Sequence, residues 1–317
     1  MNSEQPAKRD IANLLRDFDR TDIVNSYGDK LRKEPAPPLI YHYTDDAGLR
    51  GIFESGRLWC TDIFSLNDTS EIRYGVANAC ELLDQAATKS GAANQFRVLA
   101  TSVIKELTAR IEESGEFFVC CFSKAHDDLG QWRAYADDGR GFAIGFSGDV
   151  LERAFVDAAP KNGSTFPLSY LDAELREIQA RLVDQVQRIF AVAPETLSAA
   201  QMGHLSTRLS ALVIHSAVFF KNHGYSNEQE YRFLLLHRGD IPVPGLKVRS
   251  KPYSLVRYLE FDWKQQALHA LREVRVGPAA DPRTAFKFVE DCRRTYLSGD
   301  YTLAIMQSQI PYRSTPA

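Results

Sequence analysis

Phe117–Phe146, FFVCCFSKAHDDLGQWRAYADDGRGFAIGF, is the stretch that decides the fold. Its first six residues are apolar without a break, which is typical of a strand buried on both faces. Asp128 then precedes Gln131 by three residues, the spacing of a helix capping box, and apolar residues follow at helical intervals. Glycines in the next turn lead into FAIGF, a second strand-like run. The stretch therefore predicts strand, short helix and strand, with Gln131, Trp132 and Tyr135 on the exposed edge of the helix.

The residues before this stretch predict an N-terminal extension and the start of a folded domain. Residues 1–38 carry one amphipathic helical pattern and then a proline-rich linker. A single α+β domain is predicted for residues 39–317. It begins with the strand Leu39–Thr44, followed by a helix, a second strand, a turn at Asn67 and Asp68, and two helical patterns.

The residues after the stretch predict an insertion and a C-terminal layer. Two long helical patterns indicate a helical insertion at about residues 166–222. The strand that follows places Glu230 and Arg232 on one face and apolar side chains on the other. Residues 243–317 predict a β-α-β layer, with a proline at the start of its helix. The predicted fold class is thus α+β, with a mixed β-sheet core.

Composition narrows the possible functions. The 317 residues are 44% hydrophobic and 25% charged, with a net charge of -3. That balance is ordinary for a globular protein and argues against one that coats nucleic acid. The five cysteines form no CxxC pair, and no phosphate-loop or metal-binding motif is present. No apolar segment is long enough to cross a bilayer. We therefore expect a cytoplasmic protein without a membrane partner or a metal.

Several side chains are candidates for a site, and each has a structural alternative. His42 lies in an apolar strand that runs into a helix, yet most such histidines are satisfied core residues. Trp132 and Tyr135 could be packing aromatics. Glu230 and Arg232 lie on one strand face, where they face either a ligand or each other as a buried ion pair.

Landmarks along the chain resemble, in order, the domain-of-unknown-function family 2971 (DUF2971). They are HYTDDAGLRGIFESGRLWCTD with Asn67-Asp68 and Glu71, CFS followed by DLGQWRAYADDGRGFAIGF, EQEYRF, VGP, and SQIPYR. The resemblance extends from about Leu39 to Arg313. Its specificity lies in the combined order of the landmarks.

The opening landmark is also similar to the start of ADP-ribosyltransferase-fold proteins. In those proteins a strand histidine meets the adenosine ribose, an aromatic residue packs on nicotinamide, and a glutamate at the head of a later strand contacts the reacting ribose. This resemblance implies His42 and Thr44, beside Tyr43, as the first element, and Glu230, in the ExE spacing from Glu228, as the last. Three candidates stay open for the middle element: Ser123, Trp132 and Tyr135.

The resemblance implies an enzyme that takes NAD as its substrate and cleaves the nicotinamide–ribose bond. Glu230 and His42 would be catalytic, because the oxocarbenium-like transition state needs a positioned carboxylate. Arg232, Arg133 or Arg140 would pair with the pyrophosphate. The ADP-ribose would pass to a macromolecule, protein or nucleic acid, or to water. A toxin or defence effector would use such an activity.

Two other functions are compatible with the same residues. The first is a non-catalytic module in a stress or phage-defence system that binds a nucleotide or a protein. The second is a nuclease acting on RNA with His42 and Glu230 as acid and base, although no basic run supports it.

Overall fold

The computed structural model describes residues 4–66, 70–109, 111, 116–192, 196–237, 243–297 and 302–313, without the side chains of residues 4–10, 70 and 71. The predicted turn at Asn67 and Asp68 lies outside these residues. The helices are α1 (Glu4–Asp19), α2 (Ile23–Arg32), α3 (Asp46–Ser55), α4 (Ser70–Thr88), α5 (Asn94–Ala109), α6 (Leu129–Tyr135), α7 (Gly148–Ala158), α8 (Asp172–Val192), α9 (Ala199–Ala217), α10 (Trp263–Ala267) and α11 (Pro282–Tyr296). The strands are β1 (Leu39–Thr44), β2 (Arg57–Asp62), β3 (Glu116–Ser123), β4 (Phe142–Ser147), β5 (Gly163–Pro167), β6 (Glu230–His237), β7 (Lys247–Lys251), β8 (Ser254–Asp262), β9 (Leu271–Val276) and β10 (Ala304–Gln307).

The central stretch folds as its sequence predicts. β3 is buried along most of its length, and α6 begins after Asp128, whose side chain accepts a hydrogen bond from the Gln131 amide at 2.9 Å. β4 is buried at all six positions. The predicted α+β class with a mixed sheet is confirmed, because β9 and β10 pair in parallel whereas the other strands pair antiparallel.

The described residues divide into two compact units. The described residues within Met1–Leu31, Asn67–Gly115 and Ser169–His223 make up unit 1 and are mainly helical. Those within Arg32–Leu66, Glu116–Leu168 and Gly224–Ala317 make up unit 2, which holds the sheet. The segment predicted as a helical insertion contributes α8 and α9 to unit 1.

Unit 1 is a set of helices with amphipathic patterns. α4 packs closely on α9 at Gly75, where an added Cβ would come within 2.5 Å of the Ala217 Cβ. Gln179 on α8 donates to the Gly75 carbonyl at 2.9 Å, which satisfies a polar group inside the unit. The N-terminal region has two helices where the sequence pattern predicted one. α2 was missed because its apolar positions, Ile23, Val24 and Leu31, are few in number.

In unit 2 the strands form one ten-stranded sheet in the described residues, with the path β10-β9-β4-β1-β3-β2-β8-β7. β6 pairs with β3 along its whole length, and β5 pairs with β6. The other side of β3 is shared, since β1 pairs at Ser123 and β2 pairs at Phe118 and Val119. The β7–β8 hairpin is an addition that the sequence did not predict.

One face of this sheet carries the main apolar core. Buried side chains of β1, β3, β4, β6 and β9 on that face pack with residues of α3, α7, α10 and α11, and among the largest are Phe53, Phe146, Phe155, Phe233 and Trp263. We call this side of the sheet the apolar face. The opposite side holds a smaller cluster around Tyr41, Tyr43 and Trp132, and we call it the polar face. No helix in the described part of the chain is long and apolar enough to cross a membrane.

Candidate functional site

The two faces separate the residues that the sequence predicts to converge. In an antiparallel pair, directly opposed residues project to the same side. Tyr41 opposes Ser123, and Ser123 opposes Glu230, so these three lie on the polar face. His42 opposes Ile144, a residue of the main core, and therefore lies on the apolar face. The structure does not bring His42 and Glu230 together.

His42 and Thr44 pack on the apolar face. The His42 ring lies 5.8 Å from the Phe122 ring, and its Nδ1 donates to the Cys121 carbonyl oxygen at 3.1 Å. Burial lowers the pKa of His42 below its ordinary value. The Thr44 hydroxyl lies against α3, where an added Cβ at Gly48 would come within 1.9 Å of Thr44 Oγ1. His42 therefore has the contacts of a core residue, the alternative that the sequence left open for it.

Glu230 and Arg232 form a buried ion pair on the polar face. Arg232 donates from Nε at 2.9 Å and from Nη2 at 2.7 Å to Glu230 Oε1. Arg232 is 0% exposed and Glu230 is 5% exposed, so the pair is almost wholly out of solvent. Of the two roles predicted for these residues, the structure has the ion pair.

Ser123 holds the segment that precedes β6. Its hydroxyl donates to the Glu228 carbonyl at 2.7 Å and accepts from the Ala125 amide at 3.0 Å. The Lys124 amide donates to the Gln229 carbonyl at 3.0 Å. Gln229 has φ 45°, a left-handed conformation that is costly for a residue other than glycine. These hydrogen bonds fix the position of Glu228, which lies two residues before the start of β6.

Tyr135, one of the predicted aromatic candidates, forms a solvent-accessible pair with Glu228. The Tyr135 hydroxyl donates to Glu228 Oε1 at 3.1 Å, and Tyr135 is 37% exposed. Asp137 and Asp138, just after α6, have φ 47° and 50°. Left-handed non-glycine residues cost on the order of 1–3 kcal/mol each and cluster at functional sites. Both chain segments that contribute to this pair thus contain such residues.

Trp132 and Gln131 are not on an exposed edge, and that prediction is wrong. Trp132 is 0% exposed and Gln131 is 6% exposed. Trp132 packs edge-on against Tyr43 with ring centroids 4.8 Å apart and donates from Nε1 to Asp127 Oδ1 at 2.7 Å. Tyr43 is also fixed, because its hydroxyl donates to the Ala125 carbonyl at 2.9 Å. The helix turns its indole inward because α6 is the element that covers β1 on the polar face.

A second acid–arginine pair on the polar face was missed. Glu273 and Arg275 lie on β9, and Arg275 Nη2 donates to Glu273 Oε1 at 3.3 Å. The Tyr41 hydroxyl donates to the same oxygen at 3.2 Å. Burial and the nearby Glu273 charge raise the pKa of Tyr41. The signal was present in the sequence, because Glu273-Val274-Arg275 repeats the E-x-R pattern of Glu230-Tyr231-Arg232 on a predicted strand.

Comparison with known protein families gives a match over part of the chain. Residues 131–233 match the model of DUF2971, described as "Protein of unknown function". The DUF2971 resemblance predicted from the sequence is thereby confirmed over about a third of the chain. The DUF2971 segment runs from α6 to β6 and so contains Tyr135, Glu228, Glu230 and Arg232. No curated protein and no solved structure matches the chain. The likeness to the ADP-ribosyltransferase fold stays a prediction.

Proposed function

We propose that the protein is an enzyme that binds NAD or a related nucleotide and cleaves its nicotinamide–ribose bond. The observation that carries this proposal is the Tyr135–Glu228 pair. It joins a solvent-accessible aromatic ring to a carboxylate, and both segments hold left-handed residues. An aromatic surface suits the nicotinamide ring, and a carboxylate suits the positive charge that develops on the ribose.

The proposal assigns different roles to the two glutamates of the ExE spacing. Glu230 is buried and paired with Arg232, so we assign it a structural role in holding β6 in place. Glu228 is partly exposed and becomes the reacting carboxylate. The bond from C1′ to the pyridinium nitrogen breaks, and its electron pair leaves with nicotinamide. The oxygen of an acceptor hydroxyl or of water then bonds to C1′, and its proton passes to Glu228.

The acceptor and setting belong to the same proposal. The acceptor is a protein, a nucleic acid or water, and the activity would serve as a toxin or a defence effector. We place it in the cytoplasm, because the five cysteines are thiols and not disulfides, as is usual in a reducing compartment.

Release of nicotinamide from NAD by the purified protein tests the proposal. We expect release by the wild type and a fall of about 100-fold or more in Glu228→Gln, since a positioned acid–base group contributes about 10²–10⁴-fold. Tyr135→Phe, which keeps the ring, should fall less. Glu54→Gln, an exposed carboxylate on α3, is the matched control and should retain the wild-type rate. A wild type that releases no nicotinamide, or a Glu228→Gln variant at full rate, would overturn the proposal.

A second candidate is a non-catalytic module that binds a nucleotide or a protein. It is favoured by the position of His42 on the apolar face and by the ion pair that occupies Glu230. A ligand that binds only the folded state raises the melting temperature by mass action. Thermal stabilisation by NAD without nicotinamide release supports this candidate over the enzyme.

A further inference from the structure

Tyr41, Glu273 and Arg275 form a cluster that is built across three strands. Tyr41 is on β1 and Glu273 is on β9, with β4 between them, so their strands lie about 9–10 Å apart. Gly145 of β4 opposes both residues. A Cβ added to Gly145 would come within 2.7 Å of Glu273 Cγ and 3.0 Å of Tyr41 Cε1. The glycine is what allows the hydroxyl and the carboxylate to meet above β4.

Arg275 in this cluster has a buried donor, Nε, that no described residue uses. Its Nε is buried and has no hydrogen-bond partner among the described residues. Arg275 is 8% exposed, and its Nη2 contacts Glu273 at 3.3 Å and the Met306 sulfur at 3.9 Å. Buried polar groups are normally paired, and one that is not needs an explanation. A ligand group that accepts from Nε supplies one.

The Glu273 carboxylate in the same cluster can accept a further hydrogen bond. Both described bonds to Glu273, from Tyr41 and from Arg275, go to Oε1, and no described residue donates to Oε2. The cluster therefore offers a donor from Arg275 beside an acceptor from Glu273. The complementary group on a ligand has an O–H that donates and an adjacent oxygen that accepts.

The charges of Glu273 and Arg275 disfavour a phosphate group as the ligand of this cluster. Glu273 neutralises Arg275 within the cluster, and Tyr41 is held in its neutral form by burial. A phosphate on Nε would lie close to the Glu273 carboxylate in a site with little solvent, where repulsion between like charges is strong. A neutral, hydroxylated group meets no such opposition.

We propose that Glu273 and Arg275 bind the vicinal diol of a ribose, with the 2′-hydroxyl donating to Glu273 Oε2 and the 3′-hydroxyl accepting from Arg275 Nε. Carboxylates bind ribose hydroxyls in the same way in other nucleotide sites. His126 is exposed, with its ring centroid 6.2 Å from that of Tyr41, and offers a flat surface to a base. The proposal goes beyond the proposed function, because it holds for a nucleoside whether or not its C1′ bond is cleaved.

Entry to the buried Nε of Arg275 requires a neighbouring side chain to move. The side chains of Glu273 and Arg275 are 11% and 10% exposed, so solvent reaches part of each. Met306, which opposes Arg275 on β10, is only partly buried. Methionine is unbranched and takes other rotamers easily, so it can move aside for a ligand.

Calorimetric titration with adenosine and 2′-deoxyadenosine tests the proposal. We expect the wild type to bind adenosine about tenfold more tightly than 2′-deoxyadenosine, the usual value of one hydrogen bond to a charged group. In Glu273→Gln this preference should disappear, because the amide group in the place of Oε2 can no longer accept from the 2′-hydroxyl. Glu54→Gln serves again as the control and should keep the preference.

Three results would overturn the proposal: equal binding of the two nucleosides by the wild type, a preference that survives in Glu273→Gln, or no binding of adenosine at millimolar concentration. Inorganic phosphate that displaces adenosine from the wild type would also do so, because it would identify an anion site. Nicotinamide release without a preference for adenosine counts against this proposal alone. A preference for adenosine without nicotinamide release counts against the enzymatic proposal alone.

Discussion

The two E-x-R pairs on the polar face use one sequence pattern for different purposes. On β6, Arg232 donates from both Nε and Nη2 to Glu230 at 2.9 and 2.7 Å, and it is 0% exposed. On β9, Arg275 reaches Glu273 from Nη2 alone at 3.3 Å, and its Nε has no partner in the described part of the chain. The first pair has the geometry of a structural element. The second has a donor that no described residue uses, which the proposed diol would occupy.

The neighbours of each strand explain the difference. Arg232 lies between Cys121 of β3 and Phe166 of β5, which pair with β6 on both sides. Arg275 lies between Ala143 of β4 and Met306 of the short strand β10. A small residue on one side and an unbranched one on the other leave the second guanidinium less confined. The neighbouring strands thus determine whether an E-x-R pair is tightly packed, as on β6, or has room to bind a ligand, as we propose for β9.

Replacing each arginine by methionine should give the largest difference between the pairs. Arg232→Met removes the guanidinium from a carboxylate that stays buried, which should lower the free energy of unfolding by about 3–5 kcal/mol. Arg275→Met should cost only about 1–2 kcal/mol, because Glu273 keeps its bond from Tyr41 and is closer to solvent. Urea unfolding of the three proteins measures both values.

A double variant separates the charge effect from lost packing. Glu230→Gln combined with Arg232→Met removes both charges, and it should recover part of the stability lost in Arg232→Met. Equal losses in the two arginine variants would contradict the contrast between the pairs.

A methyl group at Gly145 should test whether the second pair depends on the glycine. Gly145→Ala places a Cβ within 2.7 Å of Glu273 Cγ, and overpacking of this kind costs about 1–3 kcal/mol. We expect a lower melting temperature and loss of the preference for adenosine. Gly51→Ala on α3 is the matched control, since no atom lies within 4 Å of its added Cβ. A Gly145→Ala protein as stable as the wild type would contradict the close approach across β4.

Sequence reasoning predicted the strands and their alternation but not the relation between strands. The Asp128 cap, β3, β4 and the sidedness of β6 all follow from local spacing. Whether His42 shares a face with Glu230 depends on the pairing of Tyr41 with Ser123 and of Ser123 with Glu230. A shift of one residue in either pairing would reverse the answer, and no local pattern fixes that register.

The remaining misses have similar physical causes. The period of a short helix does not say which side is covered, and Trp132 proved to be the covered residue. Glu273 and Arg275 were read only as part of a strand, because their contact with Tyr41 joins residues 232 positions apart. Contacts across several strands arise from topology, so a repeated E-x-R pattern is the one trace that they leave in the sequence.

The pH dependence of stability should give the smallest effect, and its sign tests whether His42 is separated from both pairs. Burial lowers the pKa of His42 below the value of about 6.5 expected in the unfolded chain. Between those two values the unfolded chain binds more protons, so the free energy of unfolding should fall as the pH drops below about 6.5. Urea unfolding of the wild type and His42→Leu at pH 7.5 and pH 5.5 measures this, and the variant should lose less stability on acidification. If His42 instead faced a carboxylate of the polar face, its pKa would be raised, and acidification would stabilise the wild type relative to the variant. The opposite sign would therefore indicate that the His42 imidazole lies on the polar face.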